Sequence, residues 1–165
     1  MIDLHLIGIG TGNPDHLTGQ ACRAIAQADL FLVPHKPGKS DLADLRTTII
    51  DRIRDDAQIA LFEMPVRDDT LPYLTRVEAW HDAIARIWAG TIAAHPQAKR
   101  VALLVWGDPS LYDSTLRIAA RLDPEPRLHV VAGITSVQAL TAAHAIPLNT
   151  VNAPVTISTG RQLRD

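Results

Sequence analysis

The chain is poor in the features that crosslink a protein or anchor it in a membrane. Cys22 is the one cysteine, which excludes an internal disulfide and is typical of a reducing compartment. No apolar run approaches the roughly 20 residues that span a bilayer. The first residues also lack the basic and then apolar segments of a secretory signal. We therefore expect a cytoplasmic protein that does not contact membranes.

An excess of positive charge is also missing. The 165 residues contain 16 Lys and Arg against 18 Asp and Glu, which gives a formal net charge of −2. Because there is no excess of basic residues to neutralise phosphates, nucleic acid is not an expected partner. The apolar share of 47% and the charged share of 21% are ordinary for a globular protein, and the length suits one domain with a real core.

Short apolar blocks alternate with stretches of helical periodicity along the chain. The predicted strands are residues 2–7, 29–33, 58–62, 100–105 and 127–131, with the second stopped at Pro34. The predicted helices are residues 17–27, 41–53, 74–94, 110–121 and 135–144, and residues 154–158 are either a sixth strand or a linker. This order predicts an α/β fold, an open and mainly parallel five-stranded sheet with helices on both faces. Ligands of such sheets bind outside the carboxyl ends of the strands.

A glycine-rich loop follows the first predicted strand, where Gly10, Thr11 and Gly12 lie in the segment Gly-Ile-Gly-Thr-Gly-Asn-Pro. Glycines allow the backbone to approach a ligand closely. A dinucleotide site is disfavoured, because the spacing is GxGxG and the second strand ends in Val-Pro-His35 without an acidic residue for the ribose. A tight turn without a ligand remains an alternative for this loop alone.

Two further loops carry small and polar residues after apolar strands. The fourth strand runs into Trp106-Gly107-Asp108-Pro-Ser-Leu111, and the fifth runs into Ala-Gly-Ile-Thr135-Ser136. Asp, Thr and Ser at these points either cap the following helix or hold a polar ligand, together with the free backbone N–H groups. The residues alone leave both interpretations open.

Together the three loops spell GxGxGxPxxLT, GDPxxY and GITSxxA in chain order, a combination that resembles the tetrapyrrole methyltransferase superfamily over essentially the whole chain. The resemblance implies S-adenosylmethionine as the cofactor, bound between two α/β domains, and a homodimer. Carried over to this sequence, it implies cofactor contacts from all three loops: Gly10, Thr11, Gly12, Trp106, Gly107, Asp108, Leu111, Thr135 and Ser136.

Three parts of the sequence are similar to the family members that act late in cobalamin synthesis. They are the segment after the second predicted strand, the long third predicted helix and the end of the chain. Those family members methylate C-1 of precorrin-5 with loss of acetate, which gives precorrin-6A. Loss of the acetyl group needs a base, and His35 is the candidate, although an ordinary exposed loop residue is as good an interpretation. Lys36 and Lys39 are candidate ligands for substrate carboxylates. The histidine spacings suit no metal site, and we expect no metal.

The resemblance also predicts how the chain is divided. Residues 1–150 form the N-terminal domain, residues 151–165 begin the interdomain segment, and the family's second domain is absent from this chain. Two alternatives stay open. One is another methyltransferase of the superfamily, acting on uroporphyrinogen, an earlier precorrin, diphthamide or ribosomal RNA, the last disfavoured by the acidic balance. The other is a cofactor-binding module without catalysis.

Overall fold

Five apolar segments pair into one sheet in which every strand is parallel to its neighbours. The computed structural model describes residues 1–35 and 41–160. Its strands are β1 (Asp3–Gly8), β2 (Leu30–His35), β3 (Ile59–Glu63), β4 (Arg100–Val105) and β5 (Arg127–Val131). They lie in the order β3-β2-β4-β1-β5. The predicted α/β fold class is therefore confirmed, and the carboxyl ends of β4, β1 and β5 are adjacent.

Helices cover both faces of the sheet. They are α1 (Gly19–Gln27), α2 (Asp41–Asp51), α3 (Tyr73–Ala93), α4 (Thr115–Ala119) and α5 (Ser136–Ala143), with a short 3-10 turn at Pro14–His16. The side chain of Thr18 caps α1 by accepting a hydrogen bond from the amide of Ala21 over 3.0 Å. Within residues 1–35 and 41–160, we find no helix with the length and apolar character needed to cross a membrane.

Each strand supplies side chains to two cores, because successive residues point to opposite faces of a sheet. On one face Leu6 packs in a cluster with Trp88, under α3 and α4. On the other face Ile7 packs in a cluster with Ile25 and Ile49, under α1 and α2. The central strands are buried on both sides, which explains why they read as continuous apolar runs rather than as alternating patterns.

The second strand is longer than predicted, since β2 continues through Pro34 to His35 and Pro34 pairs with Phe62. The amide of Phe31 bonds to Gln58 on the β3 side. Because amides alternate in direction along a strand, position 34 faces β4 instead. The ladder between β2 and β4 covers only Leu30 and Phe31. At position 34 the strand therefore has no hydrogen bond to β4 that would need the N–H group that proline lacks. The predicted end of the strand at Pro34 was wrong.

The predicted helix over residues 110–121 is also shorter in the structure, where α4 covers only Thr115–Ala119. Asp108 accepts hydrogen bonds from Ser110, and Asp113 accepts them from Thr115, so side chains compete with helical bonding before α4 begins. The backbone of Tyr112 is left-handed, with φ of 51°. Residues 154–158 are irregular, and the sixth-strand alternative is wrong.

One histidine is enclosed in the packing of α3. His81 is 2% exposed, and neither of its ring nitrogens has a hydrogen-bond partner among the described residues. Burial, followed by the positive charge of Arg121, lowers the pKa of His81 below 6.5, while Glu78 opposes the shift. The folded protein therefore holds this ring neutral, because the charged form would lose its hydration.

We expect His81→Leu to weaken the dependence of stability on pH. The unfolded chain binds the proton more readily, so the free energy of unfolding falls as the pH drops through 6.5 towards the folded pKa. The leucine variant should lose less stability between about pH 7.5 and about pH 5.5, as measured by urea unfolding. At the higher pH it should match or exceed the wild type by up to about 1 kcal/mol, since no polar atom is then buried unpaired.

The dependence that remains in this variant should come in part from His5. Burial, followed by the stacked ring of His129, lowers the pKa of His5 as well. A His81→Leu variant with the full pH dependence of the wild type would show that the ring of His81 is solvated, contrary to the structure.

Candidate functional site

Three loops meet at the carboxyl ends of β1, β4 and β5, and glycines make the meeting sterically allowed. A Cβ atom built on Gly133 would lie 2.0 Å from the carbonyl oxygen of Gly107. A Cβ on Gly8 would lie 2.6 Å from the amide nitrogen of Gly133. These neighbours are backbone atoms that no rotamer change can move, so a side chain at either position forces the loops apart.

Hydrogen bonds join the first two loops directly. The amide of Gly107 donates to the carbonyl of Gly10 over 2.7 Å, and the amide of Gly10 donates to the carbonyl of Gly107 over 3.3 Å. Both glycines have positive φ, 72° for Gly10 and 64° for Gly107. This conformation is strained for residues with a side chain, so the backbone favours glycine at both positions. At Gly10 space also requires it, because an added Cβ would lie 2.7 Å from the Cβ of His16.

Asp108 joins the second loop to the third. One carboxylate oxygen accepts hydrogen bonds from the amide and the hydroxyl of Ser110, and the other accepts from the amide of Gly133 over 2.9 Å. Burial raises the pKa of Asp108, but these hydrogen bonds outweigh it and hold the pKa below its usual value. Asp108 is therefore an ionised link between loops, with both oxygens already engaged.

The three loops surround a cavity of about 580 Å³. Its lining combines apolar side chains with hydroxyls and glycine backbone: Gly10, Thr11, Leu42, Leu45, Trp106, Gly107, Asp108, Leu111, Tyr112, Thr135, Ser136, Val137, Ile157 and Ser158. A volume of about 300–1,000 Å³ and a mainly apolar lining with a few polar groups are typical of sites for small molecules.

Every residue for which a cofactor contact was predicted lines this cavity, except Gly12. Gly12 is next to two of the lining residues, because a Cβ atom built on it would lie 3.4 Å from the side chain of Leu45 and 3.5 Å from that of Trp106. Thr11 turns its hydroxyl towards His16, whose Nδ1 lies 3.1 Å away. The structure thus brings the three sequence motifs together in space, although they are far apart along the chain.

Sequence reasoning missed six lining residues: Leu42, Leu45, Tyr112, Val137, Ile157 and Ser158. Leu42 and Leu45 are on α2. The apolar pattern of this helix indicates that one side is buried, but not whether that side faces a ligand or the core. Tyr112 could have been predicted from the sequence, because it is the last residue of the GDPxxY motif. Its hydroxyl donates to the carbonyl of Ile157 over 2.9 Å, which ties the segment after α5 to the edge of the cavity.

The first turn of α5 opens towards the cavity without a side-chain cap. Thr135 occupies the N-cap position but makes no capping hydrogen bond, and its hydroxyl donates to the side-chain oxygen of Gln138. The backbone N–H groups that begin a helix have no intrahelical partner. Since Ser136 and Val137 line the cavity, α5 begins at the cavity and the positive end of its helix dipole lies there.

The predicted base, His35, is not among the described residues of this lining. His35 ends β2, pairs with Glu63 of β3 and accepts a hydrogen bond from the amide of Met64 through its carbonyl. Lys36 and Lys39 lie outside the described residues. Within residues 1–35 and 41–160, no group of three or more His, Cys, Asp or Glu side chains has the arrangement of a metal site.

Comparison with known proteins identifies relatives along nearly the whole chain. Residues 3–165 match the family described as Tetrapyrrole (Corrin/Porphyrin) Methylases. A precorrin-6A synthase [deacetylating] from Sinorhizobium sp. is 43% identical over 97% of this chain and 65% of its own length. A precorrin-2 C(20)-methyltransferase from the same source is 31% identical over 87% of this chain and 59% of its own length. The chain thus spans less than two thirds of the length of each of these two curated relatives.

Solved structures agree with the fold. A cobalamin synthesis related protein (CobF) from Corynebacterium diphtheriae superposes with a TM-score of 0.79 at 38% identity, over 98% of this chain and 66% of its own. A uroporphyrin-III C-methyl transferase from Thermus thermophilus, complexed with S-adenosyl homocysteine, superposes with a TM-score of 0.53 at 21% identity, over 91% of this chain and 54% of its own. At 21% identity, the similarity to the second structure supports the fold alone.

We expect Gly133→Ala to destabilise the protein, because the added methyl group meets the backbone at Gly107 and Gly8. The loss in the free energy of unfolding should be about 1–3 kcal/mol, the usual cost of overpacking. Gly90→Ala is the matched control, since nothing lies within 4 Å of its Cβ and it sits inside α3. It should stabilise by about 0.5–1 kcal/mol. Urea unfolding of both variants tests this, and equal effects would contradict the crowding at Gly133.

Asp108→Asn should also destabilise, by about 1–3 kcal/mol at neutral pH, because an amide cannot accept hydrogen bonds from both Ser110 and Gly133 as the carboxylate does. The lowered pKa of Asp108 means that its contribution is present above 3.8 and is lost as the pH falls through the folded pKa. The difference between the two proteins should therefore shrink at acid pH. Asp56→Asn, at a surface ion pair with Arg54, should cost less than about 1 kcal/mol.

Proposed function

Because the chain belongs to the tetrapyrrole (corrin/porphyrin) methylase family, we propose that its loop cavity binds S-adenosylmethionine. We further propose methylation of precorrin-5 at C-1 with loss of acetate, which gives precorrin-6A in cobalamin synthesis. The 43% identity to the Sinorhizobium precorrin-6A synthase supports this substrate over that of the relative at 31%. The observation that carries the proposal is the cavity of about 580 Å³ in which the three family motifs meet.

The residues of the cavity fit such a cofactor. Leu45, Trp106 and Leu111 present apolar surface that would hold the adenine ring. The hydroxyl of Ser136 and the uncapped amides at the start of α5 would hold the polar groups of the ribose or of the methionine part. Glycine at position 107 lets the backbone come close to the ligand.

The lining also suits the chemistry of methyl transfer. When bound, S-adenosylmethionine supplies an electrophilic methyl group on a sulfonium sulfur, which a nucleophilic ring carbon of the tetrapyrrole can accept. Most of the rate effect then comes from holding two reactants in line. Among the described lining residues there is no His, Lys or Arg, and both oxygens of Asp108 are engaged in hydrogen bonds. This arrangement supports positioning rather than proton transfer as the role of these loops.

Loss of the acetyl group is a separate step, in which water attacks the acetyl carbonyl and acetate leaves. A base helps by taking the proton of the water. His35 is our candidate, because it ends β2 at the same edge of the sheet as the cavity, and β2 neighbours β4. We propose that Lys36 and Lys39, which follow it in the sequence, meet acetate or propionate carboxylates of the substrate.

The remaining features of the proposal rest on the family resemblance, which implies a homodimer, and on the composition and residue spacing of the sequence. We propose a homodimer in the cytoplasm that uses no nucleic acid, membrane or metal partner. A cofactor-binding module without catalysis is the second candidate, since the described residues that line the cavity include no His, Lys or Arg. Incubation with precorrin-5 and S-adenosylmethionine separates the two. A product that has gained a methyl group and lost an acetyl group supports catalysis, and binding without a product supports the module.

Calorimetric titration with S-adenosylhomocysteine tests the cofactor site. We expect saturable binding to the wild-type chain and at least about tenfold weaker binding to Val137→Trp, because the larger side chain takes up space in the cavity at the start of α5. Leu140→Trp is the matched control on the same helix. Leu140 is 60% exposed and does not line the cavity, so its replacement should leave the affinity unchanged. Absence of binding to the folded wild type, or equal loss in both variants, would contradict the site.

A further inference from the structure

A histidine next to the glycine loop contacts the lining of the cavity through one hydroxyl group. The hydroxyl of Thr11, an exposed residue of the lining, lies 3.1 Å from Nδ1 of His16. His16 itself is half-buried and is not among the described lining residues. The imidazole can therefore act on a bound molecule through the direction that it gives to the Thr11 hydroxyl.

The backbone of His16 belongs to the short 3-10 turn that precedes α1. Pro14 begins this turn, and its ring fixes the φ angle there. Asn13 caps the turn, because its side-chain oxygen accepts from the amide of Asp15 over 3.0 Å and its carbonyl accepts from the amide of His16 over 2.9 Å. These bonds hold the point from which the side chain of His16 leaves the backbone.

The side chain of His16 packs against the backbone of the glycine loop. A Cβ atom built on Gly10 would lie 2.7 Å from the Cβ of His16 and 3.6 Å from its Cγ. Gly10 in turn exchanges two backbone hydrogen bonds with Gly107 of the second loop. Because the turn and this contact already restrict the side chain, little rotamer freedom is left to lose when the ring bonds to Thr11.

The bond to His16 leaves the hydroxyl of Thr11 able to form another. A hydroxyl has one donor and two acceptor positions, and a neutral imidazole has one nitrogen of each kind. If Nδ1 is the acceptor, the oxygen of Thr11 can accept from a ligand. If Nδ1 carries the proton, the hydrogen of the hydroxyl is free to donate. In both tautomers His16 fixes one direction of the hydroxyl and leaves the other for the cavity.

We propose that His16 is a positioning residue, which holds the hydroxyl of Thr11 for a hydrogen bond to a polar group of a bound S-adenosyl ligand. A hydroxyl that is held before binding does not have to be ordered by the ligand, and this preorganisation increases the affinity. The identity of the ligand rests on the proposed function, whereas the contact between Thr11 and His16 belongs to the chain itself.

A double-mutant cycle on the whole chain, measured by calorimetric titration with S-adenosylhomocysteine, tests the positioning role. Thr11→Val removes the hydroxyl and His16→Leu removes its partner, so each should weaken binding about three- to tenfold. Because His16 acts through Thr11, adding His16→Leu to the Thr11→Val variant should change the affinity further by less than about twofold. If His16→Leu weakens binding as much without the Thr11 hydroxyl as with it, the proposal is overturned.

His16→Asn separates positioning from packing. The side-chain amide of asparagine is attached to Cγ, as Nδ1 of histidine is, and it can accept or donate, so this variant should bind within about twofold of the wild type. His95→Leu is the matched control. Nδ1 of His95 lies 2.7 Å from the carbonyl oxygen of Thr91, and neither residue is among the described lining residues, so the affinity should not change. Binding by His16→Asn as weak as that by His16→Leu overturns the proposal.

The imidazole ¹⁵N spectrum of the unliganded chain tests the contact without a cofactor. Thr11→Val should shift the Nδ1 signal of His16 and leave that of His95 unchanged, because only His16 loses its partner. Absence of this shift overturns the proposal. Binding of S-adenosylhomocysteine with additive losses in the cycle removes the positioning role and leaves the proposed function standing. Absence of binding to the folded wild type removes the cofactor site, and the positioning role with it.

Discussion

The close approach of three loop backbones at Gly8, Gly107 and Gly133 is the constraint on which the rest of the structure depends. The sheet order places β1 between β4 and β5, so the loops that leave these strands must cross within a few ångströms. A carbonyl oxygen stands 2.0 Å from where a Cβ of Gly133 would be. Only glycine lets the chains pass, and once they pass, backbone hydrogen bonds and Asp108 hold them together.

The crossing explains why the cavity has its form. With the loops drawn together at their bases, their outer parts diverge and leave a space that α2 and the segment near Ile157 enclose from the sides. The third loop leads directly into α5, so the uncapped amides of that helix open into the space. The polar donors, the apolar walls and the glycine backbone of the cavity thus result from one packing arrangement.

The fold and the contributing loops could be predicted from sequence because their signals are local. Apolar runs mark the buried strands, and glycine and hydroxyl residues mark the loops after them, so most of the cavity lining was predicted before its shape was known. The extension of β2 past Pro34 depends on which neighbour position 34 faces, which is a property of the sheet and not of the segment. The lining by Leu42 and Ile157 depends likewise on tertiary packing, for which a single sequence carries no signal.

The central claim is that these three loops hold the cofactor through the start of α5, and hydrogen exchange of backbone amides tests it most directly. Exchange is measured for the chain with and without S-adenosylhomocysteine. The account predicts slower exchange on binding at the amides of Ser136 and Val137 and in the glycine loop around Thr11, the segments that line the cavity. Protection elsewhere, with unchanged exchange in these segments, would contradict it.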